Sequence, residues 1–268
     1  MSETWSSGAA YEPYIGRWSR LIAQPFLTWL GMPSKAQWLD VGCGTGALTA
    51  SVLAFCDPAR VEGVDPTRNY IAYARQHIRD PRVQFTVGEA RLLPFQPNTF
   101  RSVVAGLVLN FVERPEEAIA EMKRVLQPGG VAAVYVWDYV GQMQMIRSFW
   151  DAAVALHPEA QSLDEGVLFP ICQPDRLIEL WTSARFDHIT VQAMDIPTIF
   201  RDFDDYWTPF LSGQGPAPAY CMGLSEPQRL LLREAIRSQL PFAPDGSIHL
   251  NARVWAIKGS KGTSLLAT

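Results

Sequence analysis

The chain has no basic run. Its 23 lysines and arginines are scattered among 27 acidic residues, for a formal net charge of −4 over 268 residues. A protein that grips a phosphate backbone usually carries a basic stripe, so no nucleic acid is expected as a partner. Uncharged runs such as 102–112 are far shorter than the roughly 20 residues a bilayer needs, so no membrane insertion is expected either. The first residues lack the basic start and apolar stretch of a secretory signal. Four cysteines, at 43, 56, 172 and 221, have no CxxC spacing, and the four histidines do not pair with them. No metal site is therefore expected, and a reducing compartment would keep the thiols free. Low-complexity tracts and internal repeats are also missing. These absences point to a soluble cytoplasmic protein. With 48% hydrophobic and 19% charged residues it has an ordinary balance for one sizeable core.

What the chain does have is an alternation of short apolar runs and amphipathic stretches. Residues 17–30 space Trp18, Leu21, Ile22, Phe26 and Trp29 as a helix that Pro25 is placed to kink. Strands are expected at 37–41, 61–65, 83–87, 100–109 and 131–137. Helices are expected at 48–55, 67–78 and 115–126, with a turn at Pro128-Gly129-Gly130. Helix 115–126 opens on Pro115, Glu116 and Glu117 and closes on Lys123 and Arg124, which suits its dipole. This rhythm predicts a parallel sheet covered on both faces. Beyond residue 140, helices are expected at 142–156 and 174–184, and strands at 188–195 and 248–257. Two helical segments are expected between 200 and 239, around the loop GQGPAPAY, with Ser225 and Gln228 as a capping box.

The expected fold is α/β: a Rossmann-like, doubly wound, mostly parallel seven-stranded sheet with a helical cap insertion. The expected organisation is an N-terminal helical segment at 1–35 and a Rossmann-like core at 36–138. Helices and a sixth strand follow at 139–196, a helical cap at 197–247, and a final strand and tail at 248–268.

The segment Asp40-Val41-Gly42-Cys43-Gly44-Thr45-Gly46 leaves one predicted strand and enters a helix. Glycines there allow a tight turn and close backbone approach to a ligand, and the helix start offers free N–H groups. Asp65 ends the next predicted strand, nineteen positions after Gly46. An acid so placed accepts hydrogen bonds from ribose hydroxyls. Gly42, Gly44 and Ala47 also satisfy a loose dinucleotide pattern, so a nicotinamide-dependent oxidoreductase competes on glycine spacing alone. No Tyr-x-x-x-Lys signature for hydride transfer accompanies it.

In WLDVGCGTGALT (38–49), VEGVDPT (61–67), VGEARLLPFQPNTF (87–100) and VLQPGGVAAV (125–134), the chain closely resembles the class I S-adenosylmethionine-dependent methyltransferases. The resemblance is strongest to the branch similar to ubiquinone/menaquinone biosynthesis C-methyltransferases. It implies S-adenosyl-L-methionine as cofactor and S-adenosyl-L-homocysteine as product. Gly42, Gly44 and Gly46 would line the methionine part, with Asp40 near its ammonium. Asp65 would hold the ribose, and Glu89 and Ala90 would lie beside the adenine. Leu107 would offer backbone to the methionine group, and Cys43 and Pro66 complete the implied set. Where Glu89 stands, the family often has Asp. YEPYIGRWS (11–19) is similar to a segment that lids the cofactor, with Tyr14 and Arg17 as contacts. The tyrosines there serve either that role or packing against the sheet.

Methyl transfer needs alignment and exclusion of water, and needs a base only when the acceptor must lose a proton. Ligands of such sheets sit beyond the carboxyl ends of the strands. Asn110, Asp138 and Tyr139 are thus candidates for contacting the acceptor or acting in catalysis, Asn110 and Asp138 being alternatively turn and helix caps. Tyr206, Trp207 and Tyr220 form a candidate aromatic wall. A small-molecule O, N or C acceptor is expected, on a monomer or homodimer, and a non-catalytic S-adenosylmethionine-binding protein is the remaining alternative.

Overall fold

A computed structural model describes residues 16–263. The described residues fall into two compact units. One comprises 19–136, 173–194 and 255–263; the other comprises 16–18, 137–172 and 195–254.

A seven-stranded mixed sheet has the order β3-β2-β1-β4-β5-β7-β6. The strands are β1 (Gln37–Val41), β2 (Arg60–Asp65), β3 (Val83–Val87), β4 (Phe100–Gly106), β5 (Leu126–Trp137), β6 (Asp187–Phe200) and β7 (Ile248–Ser260). Strand β1 pairs in parallel with β2 and β4, β2 with β3, and β4 with β5. Parallel neighbours need crossovers, and helices supply them. They are α2 (Ala47–Phe55), α3 (Arg68–His77) and α4 (Pro115–Val125). After the first residue, every position of β1 and β2 is buried, as in strands covered on both faces. Helix α4 turns Ala118, Ile119, Met122 and Val125 inward.

Helix α1 (Arg17–Leu30) runs through Pro25 without ending. The carbonyl that Pro25 leaves unpaired belongs to Leu21, which is exposed, so water can satisfy it. At the far end Lys258 Nζ donates to the Trp29 carbonyl at 2.8 Å. Phe26 lies 4.7 Å from the Tyr135 ring. Tyr135 pairs across the ladder with Gly106, and a β-carbon at 106 would sit 2.4 Å from its hydroxyl.

Two expectations for this unit are corrected. Strand β4 ends at Gly106 rather than 109, because Leu107 takes a left-handed conformation (φ 60°) and a 3₁₀ turn covers Leu109–Phe111. Pro128-Gly129-Gly130 does not precede a strand but lies inside β5: residues 127–130 bulge opposite residue 101 before pairing resumes at Val131.

The second unit is built on α5 (Gln144–Leu156), which buries Met145, Ile146, Phe149, Trp150, Ala152 and Ala153. Further short helices follow at α6 (Glu165–Leu168), α8 (Phe203–Trp207), α9 (Pro216–Gly223) and α10 (Glu226–Gln239); α7 (Pro174–Ser183) belongs to the first unit. Aromatic rings join them. Phe149 stacks on Phe210 at 4.6 Å, Trp150 lies 5.4 Å from Tyr220, and Tyr206 Oη donates to the Met145 carbonyl at 2.8 Å. The expected loop GQGPAPAY is helical from Pro216 onward. Its prolines fall in the first turn, where no intrahelical N–H is needed. Ser225 and Gln228 form the expected capping box. Strand β6 continues to Phe200, five residues past the expected end.

Candidate active site: the glycine loop and the carboxyl ends of the strands

The glycine loop hangs from β2. Gly42 and Cys43 both donate their N–H to the Val64 carbonyl, at 2.7 and 3.0 Å, and Gly46 donates to the Cys43 carbonyl at 2.8 Å. Gly42, Gly44 and Gly46 all have positive φ. The first two serve different ends. A β-carbon at Gly42 would lie 2.4 Å from the Val108 side chain, whereas one at Gly44 would meet nothing within 4 Å. Gly42 is required by packing, and Gly44 borders open space.

Two carboxylates flank the loop. Asp65 Oδ2 accepts from the Gly44 N–H at 3.0 Å and Oδ1 from the Thr67 N–H at 2.8 Å. Burial raises its pKa against the lowering effect of these two amides and of the Thr67 side chain. A carboxylate has lone pairs for a further donor beside these. Asp40 is 1% exposed, and burial pushes its carboxyl up to about 7 although the Thr49 hydroxyl donates to Oδ2 at 2.6 Å. Burial also raises the Cys43 thiol, with Asp40 and Asp65 adding to the effect.

The other sequence-derived positions are placed as follows. Pro66 and Glu89 are exposed, and Glu89 lies 3.5 Å from Arg91; Ala90 is buried. Leu107 donates its N–H to the Tyr135 carbonyl at 2.8 Å, and its left-handed backbone turns the chain out of the sheet at the ligand edge. Asn110 follows, and its Nδ2 is buried with no hydrogen-bond partner among the described residues. Asp138 is committed locally: its two oxygens accept the Gly141 and Gln142 N–H groups at 3.0 and 2.9 Å in the turn ahead of α5, whose N-cap is Met143, so it closes that turn rather than capping the next helix as its alternative had it. Tyr139 is buried beside Phe169. In the second unit, Arg17 Nη1 donates to Asp205 at 3.0 Å. Tyr14 lies outside the described residues. Tyr206 and Trp207 are buried and Tyr220 is half-buried, all within the aromatic cluster of the second unit.

Thr49 and Tyr70 were missed from the sequence. Thr49 follows Asp40 by nine positions, one turn into α2, and helix phase alone would have pointed it back at the strand end. Tyr70 sits at the start of α3, and its phenol is raised by burial and by the Asp65 charge. No group of three or more metal-ligating side chains occurs among the described residues, and no described helix is long and apolar enough to cross a membrane.

Residues 39–134 match a family described as a methyltransferase domain. Among curated proteins, the chain is 34% identical over 114 residues to a ubiquinone/menaquinone biosynthesis C-methyltransferase of Desulfotalea psychrophila, covering 42% of this chain and 45% of that one. It is 37% identical over 113 residues to a 2-phytyl-1,4-naphtoquinone methyltransferase of Thermosynechococcus vestitus, covering 41% and 50%. The match thus spans about half the length of these curated relatives. Among solved structures, the fold recurs in a Haemonchus contortus phosphoethanolamine N-methyltransferase 2, with TM-score 0.56, 17% identity, and 90% of this chain and 52% of that one covered. It recurs also in the [4+2]-cyclase SpnF, with TM-score 0.54, 21% identity, and 92% and 81% covered. A methyltransferase and a cyclase thus share this fold, and function has to be argued from the site.

Proposed function

We propose that this protein transfers the methyl group of S-adenosylmethionine to an O, N or C nucleophile of a small-molecule acceptor, by in-line displacement. The observation that carries this reading is the open seat at Gly44 beside the half-engaged Asp65 carboxylate. A tight backbone next to unfilled space, with a carboxylate at the neighbouring strand end, suits a nucleoside that carries a charged tail. The bound cofactor supplies an electrophilic methyl group and a good leaving group.

The chain's own residues supply the rest. Asp65 accepts a hydrogen bond from the ribose. Asp40, ionised and held by Thr49, offsets the ammonium of the amino-acid tail. Gly42, Cys43, Gly44 and Gly46 present backbone to that tail, as Leu107 does from the end of β4. Pro66, Glu89 and Ala90 border the adenine, with Tyr70 closing the ribose side. Asn110 directs its unpaired amide to an oxygen of the acceptor, which orients the nucleophile without taking its proton. With both oxygens occupied by amides, Asp138 is not the base; it holds the chain after β5 in a fixed turn, and Tyr139 follows it. An acceptor that already carries a free lone pair or an ionised oxygen needs no base. The net charge of −4 favours a small acceptor over RNA.

Titration calorimetry with S-adenosylhomocysteine and with NADH tests the reading. Saturable binding of S-adenosylhomocysteine, followed by methyl transfer in a metabolite screen, is the expected result. Binding of NADH alone would overturn it in favour of an oxidoreductase.

A further inference from the structure

The second unit contains donors that nothing satisfies. Arg17 spends Nη1 on Asp205, but its Nε and Nη2 are buried and have no hydrogen-bond partner among the described residues. The indole Nε1 of Trp18 and the hydroxyl of Thr198 are also buried without partners, and these two residues are 7% and 1% exposed. Buried polar groups are nearly always paired, and each exception calls for an explanation.

These groups share one neighbourhood. The Arg17 guanidinium lies 4.4 Å from the Trp18 ring centre and 4.8 Å from that of Phe200, and the two rings meet edge to face at 5.4 Å. Thr198 stands two residues before Phe200 on β6, and both are buried on the same strand face. Aromatic faces on the guanidinium hold its plane and fix where the unused fork points. Asp205 cannot satisfy that fork. Its second oxygen accepts the Arg201 N–H at 3.0 Å, and the Arg201 guanidinium lies 3.9 Å from it. Asp202, which accepts the Asp205 N–H at 2.8 Å, is also engaged.

We propose that Arg17, Trp18 and Thr198 form an oxyanion subsite that takes a carboxylate or phosphate group of a small-molecule ligand; this goes beyond the methyl-transfer reading above. The surplus is made entirely of donors plus one hydroxyl, so the fitting ligand offers several acceptor oxygens close together. A planar guanidinium edge matches such a group through two parallel hydrogen bonds. Asp202 and Asp205 offset the charges of Arg17 and Arg201. The attraction is therefore short-range hydrogen bonding rather than a broad positive field, which predicts millimolar affinity for a bare anion and little sensitivity to salt. The rest of the ligand then decides which oxyanion-bearing molecule is held.

The test titrates benzoate and inorganic phosphate into the full-length protein saturated with S-adenosylhomocysteine. One of the two is expected to bind saturably. Arg17→Lys, which keeps the charge but loses the fork, and Thr198→Val, which loses only the hydroxyl, are each expected to weaken it about 5- to 10-fold. Trp18→Phe should weaken it by a smaller factor. S-adenosylhomocysteine affinity should stay within about twofold in Thr198→Val, which also shows that the variant is folded. Absence of saturable binding of both anions overturns the proposal, as does anion binding that all three variants leave unchanged. Competition between the anion and S-adenosylhomocysteine overturns it too, because the donors would then serve the cofactor's own carboxylate. If wild-type protein fails to bind S-adenosylhomocysteine at all, it is the methyl-transfer reading that fails.

Discussion

Around the glycine loop, the carboxylates and the loop backbone already have partners: Asp65 holds two amides, Asp40 holds Thr49, and Val64 receives two loop N–H groups, although Trp38, Ser102 and Asn110 of the same unit keep unpaired buried polar atoms. In the second unit short helices meet through stacked rings, and Arg17, Trp18, Thr198 and Tyr220 keep buried donors unspent. Carboxylates that the chain itself braces are held in place before any ligand arrives, whereas the unspent donors around Arg17 would be satisfied only by the oxyanion proposed for them.

The sharpest way to break this contrast is at Gly42 and Gly44. Gly42→Ala forces a left-handed Cβ against Val108 and should cost about 2–5 kcal/mol in chemical denaturation, with loss of S-adenosylhomocysteine binding. Gly44→Ala meets no atom, so it should cost only about 1–2 kcal/mol of backbone strain yet still abolish binding. Equal stability losses in the two variants would mean that the open space at Gly44 is not a seat. Next in size is Asp65→Asn, expected to weaken S-adenosylhomocysteine on the order of 10- to 100-fold in calorimetry while leaving oxyanion binding in the second unit intact.

The two buried carboxyls sharpen the comparison through pH. Burial lifts Asp40 in the first unit and Glu165 in the second to about 7; Glu165 accepts the Trp150 indole N–H and the Ala217 N–H. Unfolded carboxyls titrate near 4, so between about 4 and 7 the folded chain holds protons that the unfolded chain has released. The contribution of both groups to stability is therefore fully present at low pH and is lost as pH rises toward about 7. Thermal unfolding should show that fall, and Asp40→Asn and Glu165→Gln should each remove part of it. Ligand binding separates them. The ligand's ammonium prefers ionised Asp40, so affinity should drop by at most about tenfold per unit below pH 7 in wild type and stay flat in Asp40→Asn. Glu165→Gln should keep the wild-type binding profile, and a flattened one would erase the division between the two regions. The smallest effect is Ser225→Ala, expected to cost about 1 kcal/mol through the lost capping box, with no change in cofactor affinity.

The first region was readable because its signals are local. Apolar runs bounded by glycine and proline gave the strands, and Pro115 with its flanking charges gave α4 to within a residue. Errors came where backbone conformation overrode pattern. The apolar run after Phe100 continues past Gly106, but Leu107 turns left-handed, which no hydrophobic period announces. GQGPAPAY reads as a loop by composition, yet its prolines sit where a helix tolerates them. The Asp40–Thr49 bond was legible only through helix phase, and the shared neighbourhood of Arg17 and Thr198 was not legible at all. Those residues stand 181 positions apart and meet only through tertiary structure.

Gly106, Tyr135 and Phe26 are bound to a common fate. The phenol fills the space that a side chain at 106 would need, and its ring in turn carries the helix that precedes the core. A lineage that acquired alanine at 106 would have to shorten 135 in the same step or soon after, and position 26 would then be left without its neighbour. Among descendants of this chain these three positions should change together or not at all, so the helix ahead of the core inherits a constraint set by a strand eighty residues further along.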